Sequence, residues 1–260
     1  MKILRFEKFG TAKYGILDST MNQIRELSGK PYGSINIAEL VHKIEDVKIL
    51  PPSEGGKVIG VALNYRDHAK ELGRKIPDEP LIFFKPTSAL IGHGDTIVLP
   101  QSCGRVDYEG ELAVIIGRKG KSIPEDEARK HILGYSCFND ITARDLQTKD
   151  TLFARAKGFD TFAPVGPYVE TDIEPDDLRI KVFVNGNLKQ DGSTRKMIFD
   201  VYTLIHFISS IMTLYPGDII ATGTPPGVGP LKPEDIVEVE IEGIGRLANK
   251  VVHFLEKVES

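Results

Sequence analysis

The stretch Tyr108-Glu109-Gly110-Glu111-Leu112-Ala113-Val114-Ile115-Ile116 is almost wholly apolar after Glu111 and ends in β-branched residues. Such a run reads as a strand buried on both faces. Side chains alternate along a strand, so Glu109 and Glu111 share one face with Ala113 and Ile115. Two carboxylates side by side at the head of a buried strand repel one another and lose hydration. They require a cation, or at least one must hold a proton. Hard divalent ions take oxygen ligands and suit such a pair. The competing reading is a strand end that emerges into solvent with two hydrated glutamates.

Strand-like segments outnumber helical ones on either side. Residues 2–7, 12–17 and 23–27 read as short strands, and Ala38–Ile44 has helical spacing with Asn36 as its N-cap. Pro51-Pro52-Ser53-Glu54-Gly55-Gly56 is the sharpest punctuation in the chain and divides a small N-terminal α/β domain, 1–52, from a main domain, 53–260. In the main domain, strands at Lys57–Leu63, Leu81–Lys85, Thr96–Leu99 and Ile132–Asn139 are followed by others at Pro164–Glu170, Leu178–Val184, Ile236–Ile241 and Leu247–Phe254. Asn185-Gly186 marks a type I′ hairpin, and Asp200 caps an amphipathic helix running to about Leu214. The fold class expected is β-rich α+β.

The totals exclude several function classes. The 260 residues carry Lys+Arg 33 against Asp+Glu 37, a net −4, with no basic stripe, which argues against a nucleic-acid partner. The longest apolar region, around Leu204 to Leu214, is interrupted by His206, Ser209 and Ser210 and is too short and polar for a membrane span. The N-terminus lacks an apolar signal core. Cys103 and Cys137 have no metal-motif spacing and suit a reducing cytoplasm, the expected location.

Three further motifs carry chemistry. Asn64 to Gly73 reads as one short helix with Asn64 as N-cap and Gly73 just past its end. His68 and Glu71, three apart, share a face of it. A carboxylate beside an imidazole orients it as a general base, although an exposed polar pair has the same spacing. Asp140 stands where a strand passes into the segment Thr142–Lys149, either as a third carboxylate for a metal or as a helix cap. Thr222-Gly223-Thr224-Pro225-Pro226-Gly227-Val228-Gly229 is a glycine loop that brings backbone N–H groups and hydroxyls to a ligand, without the Gly-Lys-Ser/Thr of a P-loop.

Four of these motifs, in this order, resemble the fumarylacetoacetate hydrolase family, and in particular its acylpyruvase and 2-hydroxyhepta-2,4-diene-1,7-dioate isomerase branch. They are Asn64-Tyr65-Arg66-Asp67-His68-Ala69-Lys70-Glu71, Tyr108-Glu109-Gly110-Glu111-Leu112, Asn139-Asp140-Ile141-Thr142-Ala143-Arg144-Asp145, and the loop at 222–229. The resemblance covers roughly Val58 to Val252. It implies a rolled mixed β-sheet, usually dimeric, hence a homodimer. It implies a divalent cation, Mg²⁺ before Mn²⁺ or Ca²⁺, on Glu109, Glu111 and Asp140. It implies a catalytic set of His68, Glu71 and Lys157, with Arg144, Gln147, Thr224 and Lys85 binding substrate. The substrate implied is a small 2-oxo acid or its enol, of the kind met in aromatic catabolism. The reaction is acylpyruvate C–C hydrolysis or heptadienedioate isomerisation through a metal-stabilised enolate. Oxaloacetate decarboxylation or tautomerisation, ureidoglycolate cleavage and non-catalytic dicarboxylate binding are the alternatives, because one fold hosts several chemistries.

Overall fold

The computed structural model describes residues 1–254. Strands dominate, and the longest α-helix among these residues is Val201–Ile211. Gly110–Ile116 lies inside the largest sheet, antiparallel to Ile132–Asn139 on one side and Ile219–Ala221 on the other. All its residues are buried. Its alternation separates two cores: Leu112, Val114 and Ile116 join the main cluster, while Ala113 and Ile115 pack into a second on the opposite face. Burial of each such aliphatic side chain contributes about 1.5–3 kcal/mol. A one-residue slip would exchange the two sets and throw Glu111 to the wrong face.

From one edge to the other, this sheet runs Ile37–Lys43, Gln23–Leu27, Thr11–Asp18, Lys2–Lys8, Ala163–Glu170, Ile132–Asn139, Gly110–Ile116, Ile219–Ala221, Val58–Ala62 and Leu81–Lys85. It is mixed, since Ile219–Ala221 and Val58–Ala62 are parallel. A second sheet, built from Asn187–Ser193, Arg179–Val184, Ile236–Ile241, Gly245–His253 and Thr96–Leu99, covers its inner face. Val182, Val239 and Leu247 from that sheet share the main core with Leu112 and Val114. A third, small sheet joins Val106–Tyr108 to Thr142–Ala143 and Gly229–Pro230. It ties the segments before Glu109, after Asp140 and at the end of the glycine loop into one place.

The N-terminal region departs from its sequence pattern. Residues 37–43 form an edge strand paired with Gln23–Leu27, followed by a 3₁₀ turn at Ile44–Asp46, so the region holds strands and no α-helix. A helix this short is marginal by itself. An open sheet edge offers its backbone partners directly, while Ile37, Leu40 and Val41 stay largely exposed. The region also continues the large sheet, with Lys2 paired to Glu170 and Ile3 to Val169. The Pro51–Gly56 stretch is fastened down: the Ser53 hydroxyl donates to the Gly217 carbonyl at 2.6 Å. Asn185 and Gly186, at φ 52° and 74°, make the hairpin turn that the dipeptide indicates. Asp200 caps Val201–Ile211 through the Thr203 N–H. Both cysteines are free thiols. No helix among the described residues is long and apolar enough to cross a membrane.

Candidate active site

The chain bends at Glu109, between the small sheet and the large one, because its backbone serves neighbours outside a ladder. The Glu109 N–H donates to the Asn139 side chain at 3.0 Å, and the Glu109 carbonyl accepts from the Asp140 N–H at 2.8 Å. This exchange brings the ends of two adjacent strands together. One carboxylate oxygen from each of Glu109, Glu111 and Asp140 lies within 4.8 Å of the other two, and all three residues are buried. Glu109 and Glu111 therefore converge, as strand alternation requires. Asp140 joins them and caps no helix; the following helix, Arg144–Lys149, has Ala143 at its N-cap.

Cations crowd two of the three acids. Lys157 bridges Glu109, at 2.8 Å, and Asp140. Lys85 reaches the other oxygen of Asp140 at 2.5 Å and the Ile141 carbonyl at 3.1 Å. Arg144 meets Glu109 at 2.5 Å. Burial acts to raise Glu109, but the Arg144 and Lys157 charges outweigh it and hold this carboxyl below the usual range. Glu111 is the exception. Burial, then the charges of Asp140 and Glu109, push it well above the usual carboxylate range. One N–H, from Gly223 at 2.9 Å, does not offset them. Lys157 stays cationic because Asp140 and Glu109 overcome its burial. Burial brings Lys85 down to about 8, against the opposing pull of Asp140.

This donor set fits a hard divalent cation. It is all carboxylate oxygen, and oxygens sharing a cation at about 2.0–2.6 Å lie at most about 5 Å apart. Among the described residues no lysine or arginine is in ion-pair contact with Glu111. Burial and the two neighbouring acids disfavour its anion, and a cation bound among the three would reverse that by taking the place of its proton.

The acids form the floor of a cavity of about 450 Å³ that His68, Arg144, Gln147, Lys157 and Thr224 also line. His68 lies on the helix Arg66–Glu71 and is buried, which separates it from an exposed polar pair. Its Nδ1 is 2.8 Å from Glu71 Oε2. A carboxylate accepts only, so Nδ1 is the donor in this contact and Nε2 is the ring nitrogen left for another partner. The other Glu71 oxygen accepts the Gly227 N–H at 3.1 Å, fixing the dyad to the glycine loop. Asn64 does not cap this helix. Its side chain donates to the carbonyls of Phe199 at 2.9 Å and Thr222 at 2.8 Å, and accepts the Phe199 N–H. Gly223, at φ 96°, packs against it where an added Cβ would fall 2.8 Å from the Asn64 Cβ.

The remaining candidates divide by position. Arg144 spans the floor between Glu109 and Gln147, whose carbonyl oxygen it reaches at 2.9 Å. Lys157 belongs to a short helix, Ala154–Lys157, and lies under the Phe83 ring. Its neighbour Arg155 is turned outward onto Asp150. Lys85 stands behind Asp140, paired with it, and is not among the side chains that line the cavity. The Thr224 hydroxyl is already engaged, donating to the Gly110 carbonyl at 2.9 Å and accepting from Gln190 at 2.8 Å.

A family model for fumarylacetoacetate (FAA) hydrolase, C-terminal, matches residues 57–252.

The chain belongs to the fumarylacetoacetate hydrolase family.

The resemblance read from four motifs over nearly the same span is thereby borne out. A second model, Rv2993c-like, N-terminal, matches residues 1–52. The 2,4-didehydro-3-deoxy-L-rhamnonate hydrolase of a Sphingomonas species is 40% identical over 274 residues, 96% of each chain. The structure of 5-carboxymethyl-2-hydroxymuconate delta-isomerase from Mycobacterium smegmatis superposes with a TM-score of 0.92 at 39% identity, covering 98% of this chain and all of the other. That of 2-hydroxyhepta-2,4-diene-1,7-dioate isomerase from Mycobacterium marinum gives 0.90 at 41%, covering 97% and 98%. The protein is thus an enzyme of the fumarylacetoacetate hydrolase family, with a fold shared by hydrolases and isomerases.

In this family member, sequence reasoning overlooked several residues that hold the site. Asp107 is fully buried and accepts from Arg105, at 2.8 and 2.9 Å, and from Arg144 Nε at 2.8 Å, fixing the Arg144 guanidinium. Gln190 accepts the Gly110 N–H at 2.9 Å and donates to Thr224 and Pro225, joining the strand head to the glycine loop. The signal for Asp107 was present: an acid two residues before Glu109, at the edge of a buried strand. Gln190 sits eighty residues away on another sheet and gives no local sign.

Proposed function

We propose that this protein acts on small 2-oxo acids or their enols with the help of a divalent cation held by Glu109, Glu111 and Asp140, Mg²⁺ before Mn²⁺ or Ca²⁺. The observation that carries the reading is the buried triad on the floor of a cavity whose wall presents the His68–Glu71 pair. When bound, the cation supplies Lewis-acid polarisation of the 2-oxo carboxylate head. Arg144, held flat by Asp107 and Gln147, and the cationic Lys157 orient the oxygens of that head. Phe83, Phe153 and Leu81 screen the bound carbon chain from water. His68 receives a proton at Nε2, and Glu71 balances the imidazolium that forms.

The source of that proton divides the reactions. A proton taken from water yields hydroxide that adds to the acyl carbonyl of an acylpyruvate-type substrate; the C–C bond then breaks, and the departing pyruvate carbon takes the proton back from His68. A proton taken from carbon, and returned at another position, is isomerisation of the heptadienedioate type. A hydrolase and two isomerases among similar proteins are consistent with either branch on one scaffold. A homodimer is the assembly proposed. The test is an assay of acylpyruvates, oxaloacetate and the heptadienedioate with Mg²⁺ or Mn²⁺, following both pyruvate formation and enol absorbance. Turnover that needs the cation, and disappears in Glu109→Gln, is expected. Full activity after chelation and in that variant would overturn the reading.

A further inference from the structure

The cavity has a second cationic feature at its mouth. Arg74 lines it and is exposed, on the same side as the His68 helix. The cations on the floor are committed: Arg144 to Asp107 and Glu109, Lys157 to Glu109 and Asp140. Asp150, the one acid lining the cavity away from its floor, is paired with Arg155. Among the described residues Arg74 has no such partner. Its backbone is nevertheless held. The Arg74 N–H donates to the Ala69 carbonyl at 2.8 Å and the Gly73 N–H to Lys70 at 3.1 Å, with Gly73 at φ 63°. This is a Schellman closure, which needs glycine at that position and locks Arg74 to the helix that carries His68. The same cavity is lined on its apolar side by Leu72, Leu81, Phe83 and Phe153.

We infer that Arg74 binds a second carboxylate at the far end of the substrate, so that the enzyme selects 2-oxo dicarboxylic acids over monoacids of the same length. The charged floor takes the 2-oxo acid head, the apolar wall covers a short carbon chain, and the guanidinium fork meets the distal carboxylate with two parallel hydrogen bonds. This inference rests on the 2-oxo acid reading of the floor, but it assigns to Arg74 a task that the floor cations, already paired, do not perform.

Calorimetric titration of the Mg²⁺-loaded protein with 2-oxoadipate and 2-oxohexanoate isolates the effect. The two acids share a six-carbon chain and differ at the distal carboxylate, and neither measurement depends on turnover. A charge-assisted hydrogen-bonded pair predicts roughly tenfold or greater preference for the diacid. Arg74→Ala should abolish that preference while leaving 2-oxohexanoate affinity unchanged, and Arg74→Lys should retain part of it. Equal binding of both acids by the wild type, or a preference that survives Arg74→Ala, overturns the Arg74 subsite and leaves the floor reading intact. Binding of neither acid overturns the floor reading, and this inference with it. Because Arg74 is exposed, the melting temperature of the variant should match the wild type and exclude misfolding.

Discussion

The floor and the mouth of the cavity are built on opposite principles. The floor draws Glu109, Glu111 and Asp140 from the ends of adjacent central strands and surrounds them with buried cations. The mouth rests on a six-residue helix, Arg66–Glu71, whose outer face carries an exposed ion pair between Asp67 and Lys196. The floor is held by backbone ladders and low-dielectric charge pairing and costs little to preorganise at the moment of reaction. The mouth has few buried contacts, and elements that admit substrate are drawn from such regions. The lesson is that charge is placed where the sheet can enforce its geometry, and proton transfer where a small element can approach the substrate.

The sharpest challenge to this contrast is Glu111→Gln. Turnover dependent on a divalent cation should fall by roughly a thousandfold or more, since Lewis-acid stabilisation amounts to several kcal/mol. In the metal-free state the same variant should melt no lower than the wild type, because it removes a buried acid that burial and two neighbouring carboxylates already disfavour as an anion. The rise in melting temperature on adding Mg²⁺ should vanish. A variant that still gains stability from the ion would place the cation elsewhere.

At the mouth, His68→Ala should lower kcat by about 10²–10⁴-fold, the range of general acid–base catalysis. Mg²⁺ affinity, read by the same thermal shift, should hardly move. Loss of both together would mean that the helix and the floor are one unit. Lys85→Met tests the floor as a charge assembly, since it removes a fully buried partner of Asp140. It should cost about 3 kcal/mol of stability in a denaturant titration. A neutral result would show that Lys157 satisfies Asp140 unaided. Smallest of all, Lys196→Ala removes the exposed pair on the outer face of the mouth and should change stability by less than about 0.5 kcal/mol, with turnover unaffected. A larger loss would show the helix to be anchored from outside.

The β-rich mixed-sheet fold was legible in the chain, and so was the local spacing of several candidate site residues. Glu109 and Glu111 announced themselves because polar residues heading a buried strand break the apolar pattern, and His68 and Glu71 because helical spacing brings such residues together. The helix expected at Ala38–Ile44 failed for the converse reason: a spacing preference in a short segment is weaker than the backbone pairing that a sheet edge supplies. Asn64 had the right residue type for a cap, yet its amide joins three segments that are distant in sequence. Lys85 matched a motif, but only packing placed it behind Asp140, outside the side chains that line the cavity.

What the sequence determined alone was local: the buried strand, the shared face of Glu109 and Glu111, the dyad spacing, the Asn185-Gly186 turn and the glycine-closed helix before Arg74. Periodicity and single-residue conformational preference act within a few residues, so a chain displays them directly. Tertiary structure decided the rest, namely that Asp140 completes a triad, that Lys157 and Arg144 neutralise two of its acids while Glu111 is left to take a proton or a cation, and that Arg74 lines the same cavity without an ion-pair partner among the described residues. Those facts depend on Coulomb energies and desolvation between groups tens of residues apart, and these exist only once the sheets have closed around the cavity.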